Sequence, residues 1–200
     1  MNAKSAAIRC GAALGIVALL AGCTSYTLES LEPRPVTGSS GLLPLFITFA
    51  EAEPGVSVAT DYATLFRRDL QSNVFLPDDS RWGYAELRVT FESTRVTGEG
   101  WVIGGAQIVT LAIPAFLGAP LTIKERTLQA EIAILDSHSI EVASYVITAK
   151  HRFPTWVWKD GEYRQAGTEA FKNVLDEFRM RLAEDVQSIN DQLRAIGSLQ

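Results

Sequence analysis

The chain has 200 residues, of which 47% are apolar and 20% are charged, and this balance excludes a disordered or low-complexity protein. Its length fits one domain, and its formal net charge of −5 at pH 7 argues against nucleic acid as a partner. The composition therefore predicts an ordinary globular protein with a core of its own.

The first 22 residues have the pattern of an export signal. Lys4 and Arg9 form a basic start, and the apolar run from Cys10 to Leu20 that follows is too short to span a bilayer comfortably. The run ends in Leu20-Ala21-Gly22-Cys23, which resembles the lipobox of bacterial lipoproteins. The alternative is a plain secretory signal that is followed by an incidental buried cysteine.

The lipobox resemblance implies how the chain is processed and anchored. A dedicated signal peptidase recognises Leu20, Ala21 and Gly22 and cuts before Cys23, which then carries three acyl chains, palmitate among them. Three chains exceed the two signals that stable membrane anchoring needs. The residue after Cys23 is Thr24 and not the aspartate associated with retention at the inner membrane. By this resemblance we expect an outer-membrane lipoprotein that faces the periplasm.

Removal of the signal changes the charge and the thiol content of the chain. Cys23 becomes the only cysteine, so no disulfide framework is expected. Two of the 18 basic residues and none of the 23 acidic ones are lost, so the net charge becomes −7. An acidic surface argues against electrostatic adhesion to anionic lipid, and attachment is expected to be hydrophobic.

Residues 23–41 are interpreted as the lipidated cysteine and a flexible tether, because this segment is polar and contains Pro33, Pro35 and a Gly-Ser cluster. From Thr24 to Gly41 the extended tether spans roughly 60 Å at about 3.3 Å per residue. Residues 42–200 are interpreted as a single domain.

Hydrophobic spacing predicts the first elements of this domain. An apolar strand covers Leu42 to Ala50, and a helix that Thr60 or Asp61 caps follows it. A half-exposed strand covers Tyr84 to Val96. The alternation in that strand places Leu87, Val89 and Phe91 on one face and Arg88, Thr90 and Glu92 on the other.

The second half of the domain is predicted to contain two hairpins and a long helix. Leu128 to Leu135 and Val142 to Ala149 form the first hairpin. Asp160-Gly161 suits a type I′ turn, which places Trp158 opposite Tyr163 in the second. Thr168 to Ile196 has apolar residues at helical spacing.

The order of these elements predicts an α+β fold. We expect a mostly antiparallel sheet with two helices on one face, and an uncharged hydrophobic hairpin-like insertion between strands. The layout is loosely similar to that of small envelope lipoproteins, including the curli-secretion lipoprotein family, although no motif matches residue by residue.

The insertion is the run from Gly100 to Ile123, which has no charged residue. Pro114 lies near its middle, so we expect two helical arms, Val102 to Ile113 and Ala115 to Thr122, rather than one membrane span. Two interpretations remain open, a hairpin buried in the core and a second contact with a membrane or partner. In the second, the contact residues are Trp101, Val102, Ile103, Ile108, Val109, Leu111, Ile113, Pro114, Phe116, Leu117 and Leu121.

A second candidate surface is aromatic. Phe153, Trp156, Trp158 and Tyr163 lie around the predicted Asp-Gly hairpin, with cations nearby. Aromatic side chains mixed with cations suit a contact with lipid headgroups or a protein. Packing between the strands of the hairpin is the alternative, and we favour it.

Catalytic and metal sites are not indicated. His138 and His151 are the only histidines, and their spacing suits no metal motif. Ser137 and Ser139 flank His138 in a predicted turn, and Asp78-Asp79 lies in another. We therefore predict a non-enzymatic protein without a cofactor.

Three functional classes follow from these patterns. The first is a lipid-anchored scaffold or interaction module with an envelope protein or a second copy as its partner. The second is a periplasmic carrier of a lipid or other apolar ligand. The third, a hydrolase, would require an activity that depends on His138 or His151.

Overall fold

The computed structural model describes residues 31–36, 40–50, 60–110, 113–157 and 162–199. The predicted signal peptide, the lipobox and Cys23 lie outside the described residues. Within them the chain forms one four-stranded sheet and four α-helices, which confirms the α+β class.

The strands are β1 (Phe46–Phe49), β2 (Gly83–Val96), β3 (Thr122–Asp136) and β4 (Glu141–Thr155). They lie side by side in chain order. β1 runs parallel to β2, whereas β2, β3 and β4 are antiparallel to their neighbours. The sheet is therefore mixed. The parallel pair is possible because the connection that contains α1 returns the chain to the end of the sheet where β1 began.

The helices are α1 (Thr60–Asp69), α2 (Gly98–Val109), α3 (Ile113–Phe116) and α4 (Glu162–Ile196). α1 continues into a π-helical turn, Leu70–Val74. α4 begins at Glu162, so Tyr163 is helical. The prediction that Tyr163 lies on the second strand of a hairpin, opposite Trp158, is therefore wrong. Trp158 and Asp160-Gly161 lie outside the described residues. No helix within the described ranges combines the length and the apolar character of a membrane span.

The core lies between one face of the sheet and the helices α1 and α4. Phe66 of α1 meets Phe49 edge to face at 6.3 Å between ring centroids, and Phe178 of α4 meets Tyr145 at 5.4 Å. A fully buried leucine or phenylalanine contributes roughly 1.5–3 kcal/mol. The buried sheet residues include Leu87, Val89, Leu128, Ala130, Ile132, Ile134, Tyr145 and Ile147.

A β-bulge between Val89 and Phe91 changes which residues of β2 face the helices. An extra residue shifts the alternation of side chains by one position. Phe91 is consequently 49% exposed, and Glu92 pairs in register with buried Leu128. The predicted faces of β2 hold as far as Val89 and are wrong for Phe91 and Glu92.

Glu92 lies in a polar cluster between the sheet and the two covering helices. Its Oε1 accepts hydrogen bonds from Tyr62 Oη at 2.5 Å and from Arg126 Nε at 2.8 Å. α4 passes close to this cluster at Gly167, where a Cβ atom would lie 2.5 Å from Tyr62 Oη. A side chain at residue 167 would require Tyr62 or Arg126 to shift, so the cluster and this close approach together position α4 against α1 and β3.

Residues 31–36 lie against the domain, although they fall within the predicted tether. The Arg34 guanidinium bonds to Asn173 at 3.0 Å, to Glu169 at 3.0 Å, and to Asp176. Asn73 donates to the Arg34 carbonyl at 3.2 Å. These contacts join the segment to α4 and to the π-helical turn, so the part of the tether between Cys23 and the first docked residue is short.

Candidate functional site

The insertion forms the candidate site, and it starts where β2 and β3 leave the sheet. Thr97 caps α2, because its Oγ1 accepts a hydrogen bond from Gly100 N at 3.0 Å. The same residue donates from its backbone N to Ile123 O at 3.0 Å. The two ends of the insertion are thus held side by side at one end of the sheet, which we call the insertion end.

Gly100 brings α2 into contact with the start of β3. A Cβ atom at this position would lie 2.1 Å from Ile123 O and 2.9 Å from Ile123 N. Thr122 Oγ1 donates to Gly100 O at 2.8 Å on the same side. The helix can lie this close only because residue 100 has no side chain.

Gln107 holds the bent insertion together. It is 6% exposed, its Nε2 donates to Pro120 O at 3.2 Å, and its Oε1 accepts from Ala115 N at 3.2 Å. Sequence reasoning missed this role, although Gln107 is the only amide side chain between Glu99 and Lys124. An isolated amide in an apolar run is the signal that indicates such a contact.

Most apolar side chains of the insertion face solvent, so the interpretation as a buried core hairpin is wrong. Seven large side chains are 57–84% exposed, and Leu121 is 38% exposed. Ile103 and Pro114 are half-buried, and Leu111 lies outside the described residues. The physical reason is that the insertion continues past the end of the sheet, where α1 and α4 do not cover it. The seven residues are Trp101, Val102, Ile108, Val109, Ile113, Phe116 and Leu117.

The predicted bounds of the two arms are wrong, because α2 has the expected 12 residues but begins and ends four residues earlier, and the second helix is shorter than expected. α2 ends at Val109, and α3 covers only Ile113–Phe116 before a turn at Gly118 with φ +97°. The predicted second arm, Ala115 to Thr122, is therefore mostly turn and the first residue of β3. Pro114 lies within α3, where it occupies the first turn, a position that proline tolerates.

An apolar groove of about 460 Å³ runs beside α2. Its lining includes Val96, Gly100, Trp101, Gly104, Ile108 and Leu121. A groove of this size can take part of an acyl chain or an apolar side chain of a partner.

A basic row crosses the sheet beside the insertion. Glu125 of β3 pairs in register with Arg95 of β2 and Arg152 of β4. Its carboxylate lies 2.9 Å from Arg95 Nη2, 3.4 Å from Arg152 Nε and 3.5 Å from Lys150 Nζ. Hydrogen bonding from Arg95, together with Arg152 and Lys150, lowers the pKa of Glu125 below its ordinary value. Sequence reasoning identified Lys150 and Arg152 only as cations near the aromatic residues, and it did not associate them with Arg95 or Glu125.

The predicted aromatic surface is only partly exposed. Phe153 is 6% exposed and meets Tyr163 edge to face at 5.5 Å between ring centroids. Tyr163 is 44% exposed, and Lys124 Nζ lies 4.7 Å from the centroid of its ring. Trp156 is half-buried. The contact joins β4 to the first turn of α4 rather than two strands of a hairpin.

The other candidate residues occupy structural positions. Ser137 and His138 lie in the turn between β3 and β4, where Asp136 Oδ1 accepts from the backbone N of His138 at 2.7 Å and of Ile140 at 2.8 Å. Asp78 accepts from Ser80 N at 3.1 Å in the predicted turn. Among the residues that the structure describes, no group of three or more His, Cys, Asp or Glu side chains is arranged to hold a metal ion.

A buried ion pair connects the π-helical turn to α4. Asp69 is 0% exposed, and its Oδ1 accepts from Asn73 at 2.7 Å and from Arg179. Burial raises the pKa of Asp69, which the bonds to Asn73 and Arg179 oppose. Because the carboxylate is enclosed, its role is to hold these elements together.

Comparisons with known proteins give similarity at the level of remote structures alone. No family model matches the chain, and no curated protein matches it. A minor lipoprotein from Acinetobacter baumannii is 13% identical with a TM-score of 0.35, over 80% of this chain and 99% of the other. A Xanthomonas campestris protein of the DUF330 family is 12% identical with a TM-score of 0.42, over 78% and 96%.

Uncharacterized lipoprotein B from Nitrosomonas europaea is 13% identical with a TM-score of 0.38, over 80% of this chain and 96% of the other. TM-scores and identities this low carry no argument about the activity or family of this chain. The resemblance to bacterial lipoproteins rests on residues 1–23, and the candidate site rests on its own geometry.

Proposed function

We propose that the protein is a lipid-anchored envelope scaffold whose insertion makes a second, hydrophobic contact with the bilayer that holds its anchor. The observation that carries this proposal is the exposure of seven large apolar side chains between Trp101 and Leu117. Soluble monomers rarely expose so many neighbouring apolar groups without a contact to cover them.

The energy available from such a contact is large enough to matter. Burial of apolar surface contributes about 25 cal/mol per Å², so a contact of about 300 Å² would contribute about 7.5 kcal/mol. The insertion carries no charge between Glu99 and Lys124, so its entry into the headgroup region does not require the burial of an ion. Its short helices suit a contact in the plane of the interface.

The position of the tether favours the bilayer over other occupants. Cys23 is eight residues before Leu31, so the two are at most about 28 Å apart at about 3.5 Å per residue. Arg34 bonds to Asn173, ten residues along α4 from Tyr163, which is about 15 Å at 1.5 Å per residue. Tyr163 itself contacts Lys124 near the start of β3. Anchor and insertion can therefore reach the same membrane.

The carrier role is the second candidate, and the apolar groove beside α2 favours it. A carrier would hold a lipid during purification, whereas a scaffold would bind vesicles and contain no extractable lipid. The location that we propose is the outer membrane, facing the periplasm, from the resemblance at Thr24. A role as scaffold requires no catalytic group.

Vesicle flotation tests the proposed contact. The chain from Thr24 onward lacks the anchor but keeps every residue that the structure describes. It is expected to float with phosphatidylcholine vesicles, and the double variant Ile108→Glu/Val109→Glu is expected to remain in the soluble fraction. Ile108 and Val109 are 79% and 84% exposed, so both substitutions are compatible with the fold.

The matched control is Ile140→Glu/Met180→Glu, which makes the same charge change at residues 64% and 61% exposed outside the insertion. It is expected to float like the parent chain. Equal flotation of both double variants contradicts the proposed contact, and lipid extracted from the purified parent chain supports the carrier instead.

A further inference from the structure

The basic row beside the insertion exposes its cations and hides its anion. The side chains of Arg95, Lys150 and Arg152 are 68%, 53% and 62% exposed, whereas that of Glu125 is 9% exposed. Three cations therefore share one enclosed carboxylate. The row presents an excess of positive charge to solvent.

The row lies on the face of the sheet that α1 and α4 leave uncovered. Arg95 and Arg152 pair with Glu125, on the opposite face from buried Leu128 and Ile147. Thr97 and Ile123, where the insertion leaves the sheet, are two residues away from Arg95 and Glu125. An exposed basic surface thus adjoins the exposed apolar insertion.

Among the residues that the structure describes, the other charged side chains of the strands on this face are paired with one another at a distance from the row. Glu86 and Glu131 share Arg88, at 3.2 Å and 3.5 Å. Glu131 lies six residues along β3 from Glu125, which is about 20 Å at about 3.3 Å per residue. Glu99 immediately precedes the insertion, in the first turn of α2, and is an exposed acidic residue. At physiological salt, charges beyond about 8 Å are largely screened, so the row acts locally despite the acidic net charge.

We propose that Arg95, Arg152 and Lys150 bind the phosphate of anionic glycerophospholipid headgroups when the insertion enters the bilayer. This inference rests on the proposed function and adds the class of lipid to it. The guanidinium group binds phosphate with two parallel hydrogen bonds, and basic residues at the edge of an apolar segment are attracted to anionic leaflets. Adhesion then has an electrostatic component that the net charge of the chain does not indicate.

The test measures how tightly the chain from Thr24 onward binds to two kinds of vesicle. Binding to phosphatidylcholine vesicles measures the insertion alone, and partial replacement of that lipid by phosphatidylglycerol measures the basic row. The parent chain is expected to bind the phosphatidylglycerol vesicles more tightly, and added salt is expected to remove the difference.

Two sets of variants separate a headgroup contact from a structural role. Arg95→Gln/Arg152→Gln is expected to lose about 25-fold in binding to phosphatidylglycerol vesicles, from about fivefold for each of the two cations. Its binding to phosphatidylcholine vesicles is expected to be unchanged. Arg181→Gln/Arg194→Gln removes two exposed arginines elsewhere and is the matched control. Glu125→Gln is expected to strengthen the preference, because it frees the three cations.

Equal binding of the parent chain to both vesicles overturns the headgroup site and leaves the insertion contact intact. An equal loss in the two arginine variants also overturns it, since net charge alone would then explain the preference. Binding to neither vesicle overturns both proposals.

Discussion

His151 carries a pH dependence that the fold creates. It lies on β4, half-buried, beside a cleft that Trp156 and Ala166 also line. Burial lowers the pKa of His151 below its ordinary value of 6.5, with Glu169 acting to raise the pKa and Arg34 to lower it. A lowered pKa in the folded state means that the neutral ring is favoured there. Its contribution to stability is present above pH 6.5 and is lost as the pH falls.

We expect His151→Gln to flatten the loss of stability between about pH 7 and about pH 5. The measurement is the free energy of unfolding from urea titrations at several pH values in this range. His138→Gln, in the exposed turn between β3 and β4, removes the other histidine and serves as the control. Equal slopes for His151→Gln and the parent chain contradict the prediction.

At the scale of the element, the orientation of α2 depends on one glycine. Gly100→Ala places a methyl group against the backbone of Ile123, and we expect α2 to move away from β3 at a cost of roughly 1–3 kcal/mol. Gly105→Ala is the matched control, because a Cβ atom there meets nothing within 4 Å, and alanine favours the helix by up to about 1 kcal/mol.

Thermal unfolding and vesicle flotation of the two variants check this prediction. Gly100→Ala should lower both the melting temperature and the fraction that floats, whereas Gly105→Ala should preserve the floating fraction and preserve or raise the melting temperature. If Gly100→Ala floats and unfolds like Gly105→Ala, the contact between α2 and β3 does not position the insertion.

The spacing of apolar residues in the sequence predicts most elements of this fold. The faces of α4 follow from residues such as Phe171 and Phe178, and the turn after Asp136 follows from its polar residues. The bend of the insertion is predicted from its prolines and glycines. These features are local, because neighbouring residues alone determine them.

Features that depend on distant partners could not be predicted. The bulge that turns Glu92 toward Tyr62 depends on the pairing of β2 with β3, and the basic row exists only because three strands align Arg95, Glu125 and Arg152. The first turn of α4 packs Tyr163 on Phe153 and Lys124, a tertiary contact that local residue preferences do not predict. Exposure of the insertion likewise follows from where the covering helices end.

At the scale of the whole molecule, the contacts of Arg34 limit the distance between domain and anchor. With residues 31–36 held against α4 and the π-helical turn, only eight residue steps separate Cys23 from the domain. A short connection keeps the insertion at a high effective concentration near the bilayer. In the proposed function, the anchored domain would make its second contact within one molecule, so each contact would strengthen the other.

Lengthening the connection should weaken the second contact without a change in either surface. A Gly-Ser linker of about 30 residues inserted after Ser25 lowers the effective concentration by about tenfold, from its −3/2 power dependence on length. In the proposed lipoprotein the acylated Cys23 would have no free thiol, so Val102→Cys supplies a single labelling site that is 73% exposed in the parent chain. An environment-sensitive dye at this site, in the lipidated protein on vesicles, should report an apolar environment. The long linker should decrease this apolar signal.

The matched position for the dye is Ile140→Cys, in the turn between β3 and β4 at the end of the sheet opposite the insertion. There we expect an aqueous signal with both the natural and the lengthened connection. The insertion and the turn that contains Ile140 lie at opposite ends of the sheet and cannot both face the bilayer. An apolar signal at both positions would indicate nonspecific adsorption of the domain. An aqueous signal at Val102→Cys with the short natural connection would mean that the insertion stays away from the membrane, and the exposed apolar side chains would then require a protein partner.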